Sequence, residues 1–303
     1  MMNYDDKIHL MEIERFAIHD GPGIRSVVFL QGCPLSCPWC ANPESQKQKS
    51  QIMYKSETCA GCRTCEILCP VHLISYDGER CQFNRNACIG CRKCEDHCLT
   101  KSIKIIGEKK SINEIFSILK RDKEYYDVSG GGVTFSGGEP FFHGQKFIEL
   151  LKKSKKEKYH VCVETCGATD WEWIEKSLSY VDCYLFDVKH FEPKRLSQIV
   201  KGDGNKMIDN FKRLTHIVPN KIIARVPVIP GYSFEVLEHI LELIASTEVS
   251  SVHLLPYHTL GIGKYEQLDK EYSLKNKKML KKDDLIKYKE YGESLGLNVQ
   301  IGG

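Results

Sequence analysis

The sequence predicts an α/β fold: a parallel sheet of repeated βα units, open or closing toward a barrel, interrupted once by a cysteine-rich insertion. Three observations carry this. Short apolar runs of strand length alternate with longer amphipathic stretches. Repetition of βα units implies a parallel sheet. Between about residues 50 and 107 the pattern stops, and two copies of one cysteine spacing take its place. The expected organisation is residues 1–49 as the first part of the barrel, 50–107 as the insertion and 108–303 as the remainder. A chain of 303 residues suits a barrel-sized core plus a small inserted unit.

In order, the runs 25–31, 133–136, 160–165, 183–189, 222–229, 251–256 and 298–302 read as buried parallel strands, being short, apolar and bounded by turn residues. Between them, 112–126, 147–157, 234–245 and 283–295 repeat apolar residues at helical spacing. In barrels of this kind chemistry sits at the C-terminal strand ends.

Charge is nearly balanced, 43 basic against 40 acidic residues, so nothing argues for nucleic acid. The lysine runs at 152–158 and 275–284 fall in helical stretches and read as solvated faces. No run approaches the roughly 18 consecutive apolar residues of a membrane span. The opening MMNYDDKIHLMEIERF lacks the basic-then-apolar layout of a signal peptide. With 11 of 15 cysteines in three tight ligand motifs and no export signal, metal clusters in a reducing cytoplasm are expected rather than disulfides. Such clusters suit an anaerobic setting.

Cys33, Cys37 and Cys40 form C-x3-C-x2-C in QGCPLSCPWCAN. Three thiolates this close can hold three corners of an iron–sulfur cube, which normally takes four cysteines. No fourth lies nearby, so one iron stays open, as a catalytic centre keeps a position for its substrate. A structural zinc would need a fourth Cys or His at short range. Farther on, Cys59, Cys62, Cys65 and Cys69 give C-x2-C-x2-C-x3-C followed by Pro70. Cys88, Cys91, Cys94 and Cys98 repeat it 29 residues later, with Leu99 in place of the proline. This is the run of two-cluster bacterial ferredoxins, in which the fourth cysteine ligates the other cluster. By that rule one cube takes Cys59, Cys62, Cys65 and Cys98, the other Cys88, Cys91, Cys94 and Cys69. Zinc ribbons use pairs of C-x2-C instead. Cys162, Cys166 and Cys183 read as packed small side chains, and Cys81 has no spacing partner.

Strand ends carry Gly137, Gly138 and Glu139 in SGGEP, Glu164 and Thr165 in VETCGA, Asp187 and Lys189 in LFDVKH, Arg225 in ARVPVIPG and His258 in LLPYHTLG. The glycines permit close backbone approach, and Glu139 is expected to point a carboxylate into the site. Singly, a Gly-Gly turn is also strand punctuation, and each polar residue is an ordinary loop side chain. Together they set opposite charges at successive strand ends, which packing does not explain. Asp20 lies upstream in HDGPGIR, locally a plain turn.

The triplet resembles the defining motif of the radical S-adenosylmethionine (SAM) enzymes. DGPGIR, the triplet, SGGEP, DVK, RVPVIPG and PYH, in this order across nearly the whole chain, resemble one subgroup, the glycyl radical enzyme activating enzymes. The resemblance implies a partial (β/α)6-type radical SAM barrel with an inserted ferredoxin-like domain, three [4Fe–4S] clusters, and SAM bound at the open iron near Trp39. It implies that Gly137, Gly138 and Glu139 hold the SAM amino group, and that Asp187, Lys189, Arg225 and His258 surround its carboxylate, ribose and adenine. Glu164, Thr165 and Asp187 match a monovalent cation site, although many relatives carry Asp where this chain has Glu164. Asp20 takes the position near the target glycine.

The implied activity is reductive cleavage of SAM, with an electron from flavodoxin or ferredoxin. The resulting 5′-deoxyadenosyl radical removes an α-hydrogen from a glycine of a partner glycyl radical enzyme. The pyruvate formate-lyase activase lacks such an insertion, so a dehydratase, lyase or decarboxylase is the expected partner. Two other readings stand beside this one: a radical SAM enzyme acting on a small molecule or peptide, and a ferredoxin-like electron carrier. The carrier would leave the triplet and the strand-end charges unused.

Overall fold

The computed structural model describes residues 7–302, so Gly303 of the closing NVQIGG lies outside the described residues. Its strands are β1 (Lys7–Ala17), β2 (Arg25–Leu30), β3 (Gln51–Tyr54), β4 (Ile74–Tyr76), β5 (Cys81–Phe83), β6 (Ile103–Ile106), β7 (Glu108–Ser111), β8 (Gly132–Gly137), β9 (His160–Thr165), β10 (Cys183–Asp187), β11 (Ile222–Val228), β12 (Ser251–Pro256) and β13 (Asn298–Ile301). One sheet of nine strands runs β13-β12-β11-β10-β9-β8-β2-β1-β7. From β2 through β13 its neighbours pair in parallel. Each apolar run expected as a strand lies in this sheet. The run 183–189 ends early, at Asp187, which leaves Lys189 on the loop beyond β10.

Two strands of the sheet carry no clear signal in the sequence. β1 pairs antiparallel with β2, and β7 pairs antiparallel with β1. β7 reads EKKS, an edge strand without an apolar residue. β1 buries Ile8, Leu10 and Met11 and then runs polar through Glu12, Glu14 and Arg15.

The helix Ile112–Leu119 starts on a capping box. Ser111 Oγ accepts from the Glu114 N–H at 3.2 Å, and Glu114 Oε2 accepts from the Ser111 N–H at 2.7 Å. The expected single helix over 112–126 is broken by a 3-10 turn at Lys120–Asp122. The cause is Asp122, turned inward onto the Ser26 hydroxyl at 2.8 Å and Arg15 Nε at 2.8 Å.

Strand side chains alternate between two faces. Val133, Phe135, Val161 and Val163 meet Phe147, Ile148, Leu150 and Leu151 of the helix Gln145–Lys156 in the main core. Phe135 and Phe147 stand edge to face at 5.5 Å. Each such side chain contributes about 1.5–3 kcal/mol on burial. On the other face stand Ser136, Glu164, Asp187 and Arg225, all of which line one cavity.

Between β2 and β7 the chain leaves the sheet and returns. β3 pairs antiparallel with β6, from Gln51↔Ile106 to Tyr54↔Ile103, and β4 with β5. Exit and return lie side by side, since Ser50 Oγ donates to the Gly107 carbonyl at 2.9 Å. Arg85 fixes this segment to the rest of the chain, reaching Asp269 at 2.5 Å and the Gln267 carbonyl at 3.1 Å.

Candidate active site

The cavity at the strand ends measures about 340 Å3. Cys33, Cys37, Trp39 and Cys40 enter it from the loop after β2, and Gly137 and Gly138 from the end of β8. Glu164 and Thr165 come from β9, Asp187 and Lys189 from β10 and its loop, Arg225 from β11, His258 from beyond β12, and Asp20 from the loop before β2.

Glu139 departs from expectation. Fully buried, it does not face the cavity. Its carboxylate accepts from the Thr165 hydroxyl at 2.8 Å, the Cys166 N–H at 2.9 Å, the Cys166 thiol at 3.1 Å and the Phe141 N–H at 3.3 Å. Glu139 therefore braces Thr165 and Cys166 from behind instead of pointing into the site, and burial raises its pKa.

The backbone of the same turn grips the cysteine loop. Gly138 N–H donates to the Leu30 carbonyl at 2.8 Å, and Glu139 N–H to the Gly32 carbonyl at 2.9 Å. A Cβ on Gly138 would stand 2.2 Å from the Gly32 oxygen, so only glycine permits this approach.

Four charged residues form the polar wall. Lys189 Nζ donates to Asp187 Oδ2 at 2.7 Å, and Arg225 Nη1 lies 2.8 Å from Glu164 Oε1. Ser136 donates to the other Glu164 oxygen. The Arg225–Glu164 contact is close but poorly aligned for a hydrogen bond. Arg225 Nε and Nη1 and Asp187 Oδ1 are thus buried without a hydrogen-bond partner among the described residues. Each such group costs about 1–3 kcal/mol, and a polar ligand bearing both donors and acceptors would recover it. Burial by itself lowers the Lys189 pKa, but Asp187 together with Cys37 and Cys166 outweighs it and the ammonium stays charged. Burial raises Glu164, with Arg225 opposing.

Burial pushes the Cys33 and Cys37 thiols up to about 12 and raises Cys40 as well. Three neighbouring thiols that do not ionise alone suit a metal centre, whose binding displaces their protons. Three cysteines on one wall with open space beside them fit a cluster that keeps one iron free.

A segment without any sequence signal roofs this loop. Tyr265 donates its hydroxyl to the Cys40 carbonyl at 2.9 Å, and Lys264 reaches Asn42 at 2.7 Å and Glu44 at 2.6 Å.

The cysteines of the insertion gather at two further cavities. Cys59, Cys62, Cys65 and Cys98 line one, joined by Cys81; Cys69, Cys88, Cys91 and Cys94 line the other. Each run's fourth cysteine thus faces the other run's first three.

The model of the radical SAM superfamily matches residues 78–244, and that of a 4Fe-4S single cluster domain matches residues 19–68. The chain is 37% identical over 290 residues to the choline trimethylamine-lyase activating enzyme of Oleidesulfovibrio alaskensis, covering 92% of this chain and 93% of that protein. It is 34% identical to the trans-4-hydroxy-L-proline dehydratase activating enzyme of Clostridioides difficile, over 97% of this chain and 99% of that one. A radical SAM methyltransferase from Sphaerobacter thermophilus shares the fold at a TM-score of 0.51 and 11% identity, over 91% of this chain and 66% of its own. The chain belongs to the radical SAM superfamily and, within it, to the glycyl radical enzyme activating enzymes.

Proposed function

We infer that the chain activates a partner glycyl radical enzyme by cleaving SAM reductively and removing one hydrogen atom from a glycine α-carbon of that partner. The observation that carries this reading is the convergence of the three-cysteine loop, the four-residue charged wall and Asp20 on one cavity. A dehydratase, lyase or decarboxylase is the expected partner, in keeping with the relatives' names.

Cys33, Cys37 and Cys40 would hold a [4Fe–4S] cluster, with Trp39 beside it. Bound there, the reduced cluster and SAM supply one electron and a 5′-deoxyadenosyl radical able to take the glycine hydrogen. The chain's own tasks are binding and geometry. Gly137 and Gly138 at the end of β8, bare of side chains at the cavity wall, would let backbone approach the SAM amino group. Asp187, Lys189, Arg225 and His258, which line the cavity, would together surround its carboxylate, ribose and adenine. Glu139 keeps Thr165 in place. Glu164, Thr165 and Asp187 are the set for a monovalent cation, and Arg225, 2.8 Å from Glu164, supplies positive charge there in its stead. Asp20, its carbonyl fixed by the Thr134 hydroxyl at 2.6 Å, would position the partner's glycine loop.

The two four-cysteine sets of the insertion would hold two more [4Fe–4S] clusters, making it a ferredoxin-like domain over 50–107 served by a flavodoxin or ferredoxin donor. No helix among the described residues is long and apolar enough to cross a membrane, and the clustered cysteines favour the cytoplasm.

Reduced, anaerobically reconstituted protein given SAM alone is expected to release 5′-deoxyadenosine, and Cys37→Ala to release none. Intact SAM after incubation with fully iron-loaded, reduced protein would overturn the reading.

A further inference from the structure

The repeat that builds the insertion lets its two cysteine cavities be compared position by position, at an offset of 29 residues. Much is common to both. Arg63 and Arg92 both adopt the left-handed conformation, at φ 59° and 60°, and bond Glu66 and Glu95 respectively. Other positions differ in kind. Ile52, Val71 and Leu73 line the cavity of Cys69, Cys88, Cys91 and Cys94. Their counterparts 29 residues on are Cys81, Thr100 and Ser102, which line the cavity of Cys59, Cys62, Cys65 and Cys98. Three aliphatic side chains are exchanged for one thiol and two hydroxyls.

These polar groups reach the ligand sulfurs. Cys81 Sγ lies 3.7 Å from Cys65 Sγ, and Thr100 Oγ1 lies 3.6 Å from Cys98 Sγ. The Ser102 N–H donates to Cys98 Sγ at 3.3 Å, and its hydroxyl is 2.7 Å from that of Thr100. Cys81 itself is held in place, 3% exposed, with its N–H donating to the Tyr54 hydroxyl at 3.2 Å. No hydroxyl or thiol from outside the set reaches Cys69, Cys88, Cys91 or Cys94 among the described residues. Burial acts in the same direction at two of the four paired positions, since Cys69 and Cys94 are buried while their counterparts Cys98 and Cys65 are partly exposed.

Hydrogen bonds to the sulfurs and solvent exposure set a cluster's reduction potential. Both favour the more negative, reduced state. We propose that the insertion holds its two clusters at unequal potentials, the set Cys59, Cys62, Cys65 and Cys98 being the higher, with Cys81 and Thr100 as its tuning residues. The higher site is also the outer one. Tyr54 and Ile103 on its wall lie two residues farther along the β3–β6 ribbon from the junction than Ile52 and Ile105, about 7 Å at the rise of a strand. The inference rests on reading the insertion as a two-cluster unit.

Redox titration of the full-length, anaerobically reconstituted protein, followed by electron paramagnetic resonance, tests it. The wild type should reduce its insertion clusters in two separate steps, and Cys62→Ala should alter the upper one. Thr100→Val and Cys81→Ala should each lower the upper step by about tenfold in the reduction equilibrium, about 59 mV for one electron. Cys81→Ser, which keeps a donor, should restore most of that shift. Val71→Thr should raise the lower step. A single step for both clusters, or a Thr100→Val effect confined to the lower step, would overturn the proposal. Iron for the Cys33 cluster alone would overturn it together with the two-cluster reading, whereas SAM cleavage measured on the same sample reports separately on the activase chemistry.

Discussion

Arg225 and Asp187 carry unspent hydrogen-bonding groups in a wall where burial makes each one costly. Removing the arginine leaves Glu164 without its cation and takes two donors from the site. Arg225→Ala is therefore expected to weaken SAM binding at least about tenfold, roughly 1.4 kcal/mol, as measured by calorimetry on the cluster-loaded protein. Unchanged affinity would remove Arg225 from the SAM site. Asp20 predicts a different pattern, because it stands at the cavity but outside the charged wall. Asp20→Ala should still release 5′-deoxyadenosine while yielding less glycyl radical on the partner; normal activation would end its assigned role. Arg225 and Asp187 were legible as charges at strand ends, whereas Asp20, in a turn before β2, was legible only through the family resemblance. The orientation of Glu139 was not, because spacing fixes which residue ends a strand but not which donors surround its carboxylate. Cys81 was equally hidden, since its neighbour Cys65 is 16 residues away in the chain.

At the scale of elements, the parallel strands were readable because both faces of a covered sheet select apolar, β-branched residues. β7 was unreadable for the opposite reason: as an edge strand it is held by backbone pairing with β1 and carries only Glu, Lys and Ser. The break at Lys120–Asp122 escaped the helical periodicity because its cause, the contact of Asp122 with Arg15 and Ser26, spans about a hundred residues of sequence. Where the periodicity is strong, its energetic consequence is direct. Phe147 is fully buried between Phe135 and Phe141, and Phe147→Ala should destabilise the protein by about 3–5 kcal/mol. Chemical denaturation provides the check, and a loss below about 1 kcal/mol would mean that the helix Gln145–Lys156 contributes little to the core.

For the whole molecule, the cysteine-rich segment between Ser50 and Gly107 is accommodated because its two ends lie side by side, joined by the Ser50 hydroxyl to the Gly107 carbonyl. Two bridges join its parts. Arg85 ties the insertion to Gln267 and Asp269, and the helix Ile262–Gln267 in turn carries Tyr265 onto the Cys40 carbonyl. The cysteine-rich insertion is thus anchored to the same short segment that roofs the three-cysteine loop. Neither bridge has a motif, and both join residues more than 180 positions apart. The order of motifs along the chain, by contrast, mirrors the order of strands β2, β8, β9, β10, β11 and β12 across the sheet.

The proposed activity is the generation, in this cavity, of a radical that takes a hydrogen atom from a glycine of another protein. Its most direct test is electron paramagnetic resonance on the reduced, cluster-loaded chain mixed anaerobically with SAM and a candidate glycyl radical enzyme. A doublet from a glycyl radical on the partner, accompanied by 5′-deoxyadenosine, is the predicted result. Deoxyadenosine formed with no radical on any candidate partner, or no deoxyadenosine from a fully loaded and reduced protein, would contradict it.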